Sequence, residues 1–184
     1  MRPKLPIVFG LLVLAATAHA ELPKTLEEFQ QRVTDEASDA KAAVKLWFDA
    51  VFVYTTVDKD LGAEMITLMM KDKDWKGRKN YFNRDLDEQP YIFRSYAKGA
   101  TPENNYEMDP NNYELEFTRE DRKPYPDKEE GEYVKLWLKC GGADIDRPIE
   151  MQKNIRGEYK AYNISSVCLG VKPPKSVQDQ KDDF

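Results

Sequence analysis

The segment Gly141-Gly142-Ala143-Asp144-Ile145-Asp146-Arg147-Pro148 is the best candidate site in the chain. Two adjacent glycines can adopt positive φ and aim backbone N–H groups at an anion. Asp144 and Arg147 could grip a polar ligand or a peptide terminus. The competing expectation is structural: the glycines shape a wide connection between strands, and Asp144 pairs with Arg147 or caps the turn. The spacing is not that of a phosphate loop, because G-x-G-x-x-G and G-K-[ST] are both absent. The stretch Gly99 to Tyr106 is a second candidate, in which Thr101, Asn104, Asn105 and Tyr106 could edge a groove with hydrogen-bonding tips. Pro102 and the asparagines would equally well build a turn there.

Other chemistries are thinly supplied. The chain has one histidine, His19, so Ser-His and Cys-His dyads are excluded once residues 1–20 are removed. Asp144/Asp146 and Asp85/Asp87 are carboxylate pairs of the kind that acid–base hydrolysis uses. With 33 acidic residues, such pairs also arise by chance on solvated faces. Asp72 to Gly77 resembles the start of a calcium loop, but Lys76 stands at its fifth position and Asn83 at its twelfth, where a bidentate glutamate is needed. Zinc would need ligands beyond two cysteines. No metal or cofactor is therefore expected. A hydrolase using Asp144 or Asp146 with Arg147 stays as an alternative to a non-enzymatic binding module for an unknown protein or small-molecule ligand. A structural subunit of an envelope complex is a third reading.

The first twenty residues set the compartment. Arg2 and Lys4 form a basic head, Ile7 to Ala16 a short apolar run, and Ala18-His19-Ala20 a small-residue cut site before Glu21. This is the build of a secretory signal peptide, and the apolar run is too short to span a membrane. Removing Arg2 and Lys4 leaves 26 basic residues against 33 acidic ones, a net charge of −7. Nucleic acid and anionic membrane are poor partners for such a chain. The expected organisation is a signal at 1–20, one domain over 21–171 and a loose polar tail at 172–184. The mature protein is expected in the periplasm or outside the cell.

The elements that must position the candidates read as helices first and strands after. Thr25 and Glu28 form a capping box ahead of Leu26, Phe29 and Val33 at helical spacing. Asp39 and Asp58 cap two further helices, the first with a wide stripe of Val44, Trp47, Phe48, Val51 and Phe52. Lys79 to Glu88 reads as a short helix ended by Pro90. From Tyr91 the period becomes two. Strands are expected at Tyr91–Tyr96, Tyr113–Phe117, Val134–Cys140, Ile149–Met151 and Tyr159–Ile164, with Arg119–Gly131 as a charged connector and Ser165–Gly170 as a turn or short helix. The aromatics, Trp137 and Tyr133 included, read as core. The fold class is α+β, with N-terminal helices packed on a four- or five-stranded antiparallel sheet, similar to cystatin or NTF2-like folds. Cys140 ends the long strand and Cys168 follows the last one. They could form a disulfide across the closing segment or remain two buried thiols.

The run Ser95-Tyr96, Gly99-Ala100-Thr101-Pro102-Glu103-Asn104-Asn105-Tyr106, the strand Val134–Lys139, Gly141-Gly142-Ala143-Asp144, Arg147-Pro148-Ile149, Tyr162, Ser165-Ser166, Gly170 and Pro173-Pro174 together resemble an uncharacterised bacterial domain family. The resemblance covers Tyr91 to Pro174 and implies an architecture without a known activity, cofactor or catalytic residue. The family pattern resembles serine before Gly-Gly-Ala-Asp and an aliphatic residue near position 168. Cysteine at both places is what an added Cys140–Cys168 disulfide in an exported member would look like. If the first twenty residues are cleaved, N-terminal sequencing of protein recovered from the native envelope begins at Glu21; recovery of an intact Met1 terminus would refute export by this signal.

Overall fold

The computed structural model describes residues 21–77, 81–123 and 131–182. The expected signal at 1–20, the first residues of the helix expected from Lys79, and residues 124–130 of the expected connector lie outside the described residues, as do 183–184. Within them run helices α1 (Leu26–Glu36), α2 (Ala40–Thr56), α3 (Lys59–Met69), α4 (Tyr81–Glu88) and α5 (Tyr91–Arg94). Strands β1 (Phe117–Lys123), β2 (Tyr133–Leu138), β3 (Arg147–Lys153) and β4 (Tyr159–Asn163) follow, and helix α6 (Lys175–Asp182) closes the chain. The strands form one antiparallel sheet in the order β1-β2-β3-β4, so the fold is α+β with four strands.

Short polar side chains set the helix starts. Thr25 Oγ1 accepts the Glu28 amide, Asp39 accepts the amides of Lys41 and Ala42, and Asp58 accepts that of Leu61. Glu28 does not reach back to Thr25 as a capping box would; its carboxylate takes the Lys24 amide at 2.8 Å. Helix α2 is buried on nearly every side, from Ala43 through Val53. Trp47 meets Phe48, Phe82 and Phe93 with ring centroids 5.0, 5.5 and 6.2 Å apart. Helix α3 folds back so closely that a Cβ on Gly62 would lie 2.2 Å from the Tyr54 nitrogen, which only glycine allows. One charge sits inside this apolar rod. Asp49 is 1% exposed, with Lys45 Nζ at 2.6 Å, the Tyr113 hydroxyl at 2.7 Å and Arg32 at 3.8 Å.

Val134, Leu136 and Leu138 of β2 and Ile149 and Met151 of β3 point into the core. Three expectations are corrected here. Tyr91–Tyr96 is not a strand: Pro90 opens the single-turn helix α5, whose amides bond to carbonyls three and four residues back. Burial of Ile92, Phe93, Ser95 and Tyr96 on all sides had mimicked alternation. Leu115 makes only an isolated bridge to Ala97, and the strand begins at Phe117, continuing through charged residues expected to be a connector. Those charges are paired locally, Arg122 with Glu120 and Glu132 at 2.6 and 2.8 Å, on a terminal strand where charge discourages further pairing. In place of a loose tail, Lys175–Asp182 forms α6, held by the Ser176 amide on Asn105 Oδ1 at 2.9 Å.

Replacing Asp49 by alanine is expected to destabilise the fold by about 3 kcal/mol, since removing one partner strands the remaining buried groups. Replacing the half-exposed Lys41, which meets Glu120 at 3.5 Å, should cost no more than about 0.5 kcal/mol. Urea unfolding of the two variants measures both; equal midpoints would refute the role given to Asp49.

Candidate functional site

The two motif loops meet, but they spend their polar groups on each other. The Gly141 amide donates to the Ser95 carbonyl at 2.8 Å, and a Cβ on Gly141 would lie 1.8 Å from the Ala100 carbonyl oxygen. A Cβ on Gly142 would strike the Tyr106 hydroxyl at 2.1 Å. Neither glycine has positive φ; Asn105 and Tyr106 do, both at 56°. The glycines are there for close approach rather than to form an anion nest. Tyr106 is fully buried, stacks on Tyr91 at 5.8 Å and donates its hydroxyl to the Lys172 carbonyl at 2.7 Å. The Lys172 amide in turn donates to the Gly142 carbonyl at 2.8 Å. Asn104 takes the Thr101 amide at 2.8 Å and gives its own N–H to the Gly99 carbonyl at 3.0 Å. These are the bonds of a self-contained turn.

The acidic candidates diverge. Asp144 is exposed and meets Lys172 Nζ at 2.8 Å, and the hydrogen bond and charge of that ammonium hold its carboxyl below the usual range. Asp146 accepts the Thr118 hydroxyl at 2.6 Å. Arg147 sends Nη2 toward the Gly170 carbonyl at 3.4 Å and has no ion pair with Asp144 among the described contacts. Asp85 is buried against Arg84 at 2.6 Å, and desolvation raises its carboxyl; Asp87 faces Lys59 at 2.7 Å and the Tyr54 hydroxyl at 2.9 Å. Neither carboxylate pair shares a site.

The expected Cys140–Cys168 disulfide is not formed. Both cysteines are free and buried. Cys140 Sγ is turned to Ser95 Oγ at 3.1 Å, while Cys168 ends a single 3-10 turn (Ser165–Cys168) packed on α4. Burial, with a smaller contribution from the Asp85 charge, pushes the Cys168 thiol up to about 12. The closure that a disulfide would have made is supplied by hydrogen bonds, among them the Tyr96 hydroxyl to the Val167 carbonyl at 2.8 Å.

The sheet has a second face, opposite the one that meets the helices. Register places Arg119, Trp137 and Pro148 side by side, then Asp121, Lys135 and Glu150, then Tyr133 and Gln152. Among the described residues the helices pack on the side of Val134 and Leu136; on the other side Tyr133 and Gln152 are themselves buried, Arg119 is exposed, and Asp121, Lys135, Trp137, Pro148 and Glu150 are partly exposed. The Arg119 guanidinium lies 4.3 Å from the Trp137 ring centre, Lys135 Nζ lies 5.4 Å from it, and Lys135 pairs with Glu150 at 3.0 Å. Tyr133 meets Tyr162 edge-on at 5.2 Å. A cleft of about 280 Å³ runs between Arg119, Asp121, Lys135, Trp137 and Glu150. The Tyr133/Lys135/Trp137 alternation marks this face in the sequence; Tyr133 is buried, as expected, while Trp137 is only partly so. Chemically this face offers a flat indole and paired charges of both signs.

Fold and surface thus describe an α+β domain with helices on one face of an antiparallel sheet and a mixed aromatic and charged surface on the other. The chain belongs to a family described as a domain of unknown function (DUF6935), whose match spans residues 21–175. Comparison with curated proteins gives no match, and neither does comparison with solved structures. Among the described residues no helix is long and apolar enough to cross a membrane.

Both thiols are expected to resist a disulfide-exchange reagent such as Ellman's in the native protein at pH 8 and to react in two equivalents after unfolding in denaturant without reductant. A yield of zero after unfolding would mean that the two cysteines are bonded.

Proposed function

We propose that this chain is an exported, non-enzymatic binding module of the periplasm or extracellular space, and that it engages a protein partner through the open face of its sheet. One observation carries the reading: Trp137, flanked by Arg119, Lys135 and Tyr133, stands on a sheet face that no helix among the described residues covers. Tryptophan, tyrosine and arginine are the side chains that most often dominate protein interfaces, because each offers a large rigid contact area at small entropic cost. Export is supported by the basic, apolar and small-residue tripartite order of residues 1–20, and the family match begins at the residue after the expected cut. The binding reading is favoured over hydrolysis because Asp144, Asp146 and Arg147 are each drawn to a different neighbour. It is favoured over contact through the strand edge because β1 is lined with Arg119, Glu120, Asp121 and Arg122.

Replacing Trp137 by the photo-crosslinking residue p-benzoylphenylalanine and irradiating native envelopes is expected to give one discrete protein adduct. The same residue at Ile145, which is 67% exposed on the motif loop, should give none. Adducts of the same size and yield from both positions, or from Ile145 alone, would overturn the sheet-face assignment.

A further inference from the structure

At the end of the sheet away from Trp137, five cationic side chains lie near one another. Lys160 of β4 is a lysine only 7% exposed, and its Nζ has Glu158 Oε2 at 3.0 Å. That same oxygen is also approached by Arg156 Nη2 at 3.3 Å and by Asn154 Nδ2 at 2.9 Å. One carboxylate therefore serves two cations and an amide. Lys73 reaches in from the segment after α3, its Nζ on the Thr67 carbonyl at 2.6 Å. Burial lowers its affinity for a proton, and repulsion from Lys160 and Arg156 lowers it further. Lys153 shares Glu132, at 3.6 Å, with Arg122. Lys71 lies 5.1 Å from the centre of the Tyr162 ring. A cleft of about 320 Å³ opens between Lys71, Lys153 and Lys160, beside the turn Asn154–Gly157.

Five cations thus gather here, and both Glu158 and Glu132 serve more than one cation. Positive charge gathered around a cleft favours a ligand that brings acceptor oxygens of its own. We propose that this cleft binds a phosphate-bearing ligand, with Lys71, Lys153 and Lys160, which line it, donating to the phosphate oxygens and Arg156 and Lys73 adding positive charge from beside it. A phosphate carries several acceptors and close to two charges, which matches several ammonium and guanidinium donors better than a single carboxylate would. The site lies at the other end of the sheet from Trp137, and its lining shares no residue with the cleft beside Trp137. Ile155 stands fully exposed at the tip of the adjoining turn. The phosphate could therefore arrive on a soluble molecule or as a lipid headgroup into whose layer that side chain dips.

Two probes separate these sources: inorganic phosphate, followed by amide shifts of residues 153–160 in the protein beginning at Glu21, and co-sedimentation with phosphatidylglycerol-containing vesicles. Shifts confined to those amides identify a soluble source. Co-sedimentation that Ile155→Ser reduces identifies the headgroup. In either case Lys160→Met should weaken binding by about tenfold, the worth of one charge-assisted hydrogen bond. Arg156→Gln, at an exposed position where the fold is not at risk, should also weaken it and decides the matter alone if Lys160→Met does not fold. No response to either probe, or a response unchanged in the variants, overturns the site.

Discussion

The fold is arranged around a carboxylate that its most apolar helix should not contain. Helix α2 is surrounded by α1, α3, α4, α5 and the sheet, and Asp49 in its middle is cut off from water. That charge is tolerable only because Lys45 one turn back, Arg32 from α1 and the Tyr113 hydroxyl from the segment before β1 all converge on it. Lys45 also lies 3.8 Å from the centre of the Tyr113 ring. An unsatisfied carboxylate at this depth would cost several kcal/mol. The helices and the first chain segment of the sheet layer must therefore take up one relative placement for the core to close. A purely apolar α2 would leave several slips of α1 against it nearly equal in energy; the ion cluster separates them.

The sheet then divides the molecule's tasks. Its inner face supplies Val134, Leu136, Ile149 and Met151 to the same core as α2. Its outer face is released from packing and free to carry aromatic and charged side chains. The motif loops at one end, Gly99–Tyr106 and Gly141–Pro148, are clamps: Gly142, Tyr106 and Lys172 are joined in sequence, and α6 is docked on Asn105 and on the Pro102 carbonyl. Residues that look chemically rich are consumed in holding three distant parts of the chain together. Those with simple strand alternation face outward.

Where local chemistry decides the structure, the sequence was legible. Thr25, Asp39 and Asp58 mark helix starts because a short oxygen acceptor before an apolar stripe has few other uses. The α+β class follows from the change of period after the helices. Three elements escaped because the deciding partner is remote. The helix of Tyr91–Arg94 is a single turn with only Ile92 and Phe93 buried, too short to show a period. The β1 strand is written in charges that make sense only beside Glu132. Helix α6 is polar along its length and is ordered by an asparagine 71 positions away. The cysteines show the same limit. Their positions agree with a bridge, yet Ser95 beside Cys140 offers its sulfur another partner. Spacing alone could not reveal that. The basic region is spread over Lys71, Lys73, Lys153, Arg156 and Lys160, and it takes both the β3–β4 hairpin and the bridge from Met70 to Ala161 to bring those positions together.

The reduced state of Cys140 and Cys168 has a consequence for biogenesis. A domain whose closing segment is fastened by the Tyr96, Tyr106 and Lys172 hydrogen bonds reaches its final form without an electron acceptor. That closure owes nothing to a covalent bond, so reductant leaves it in place.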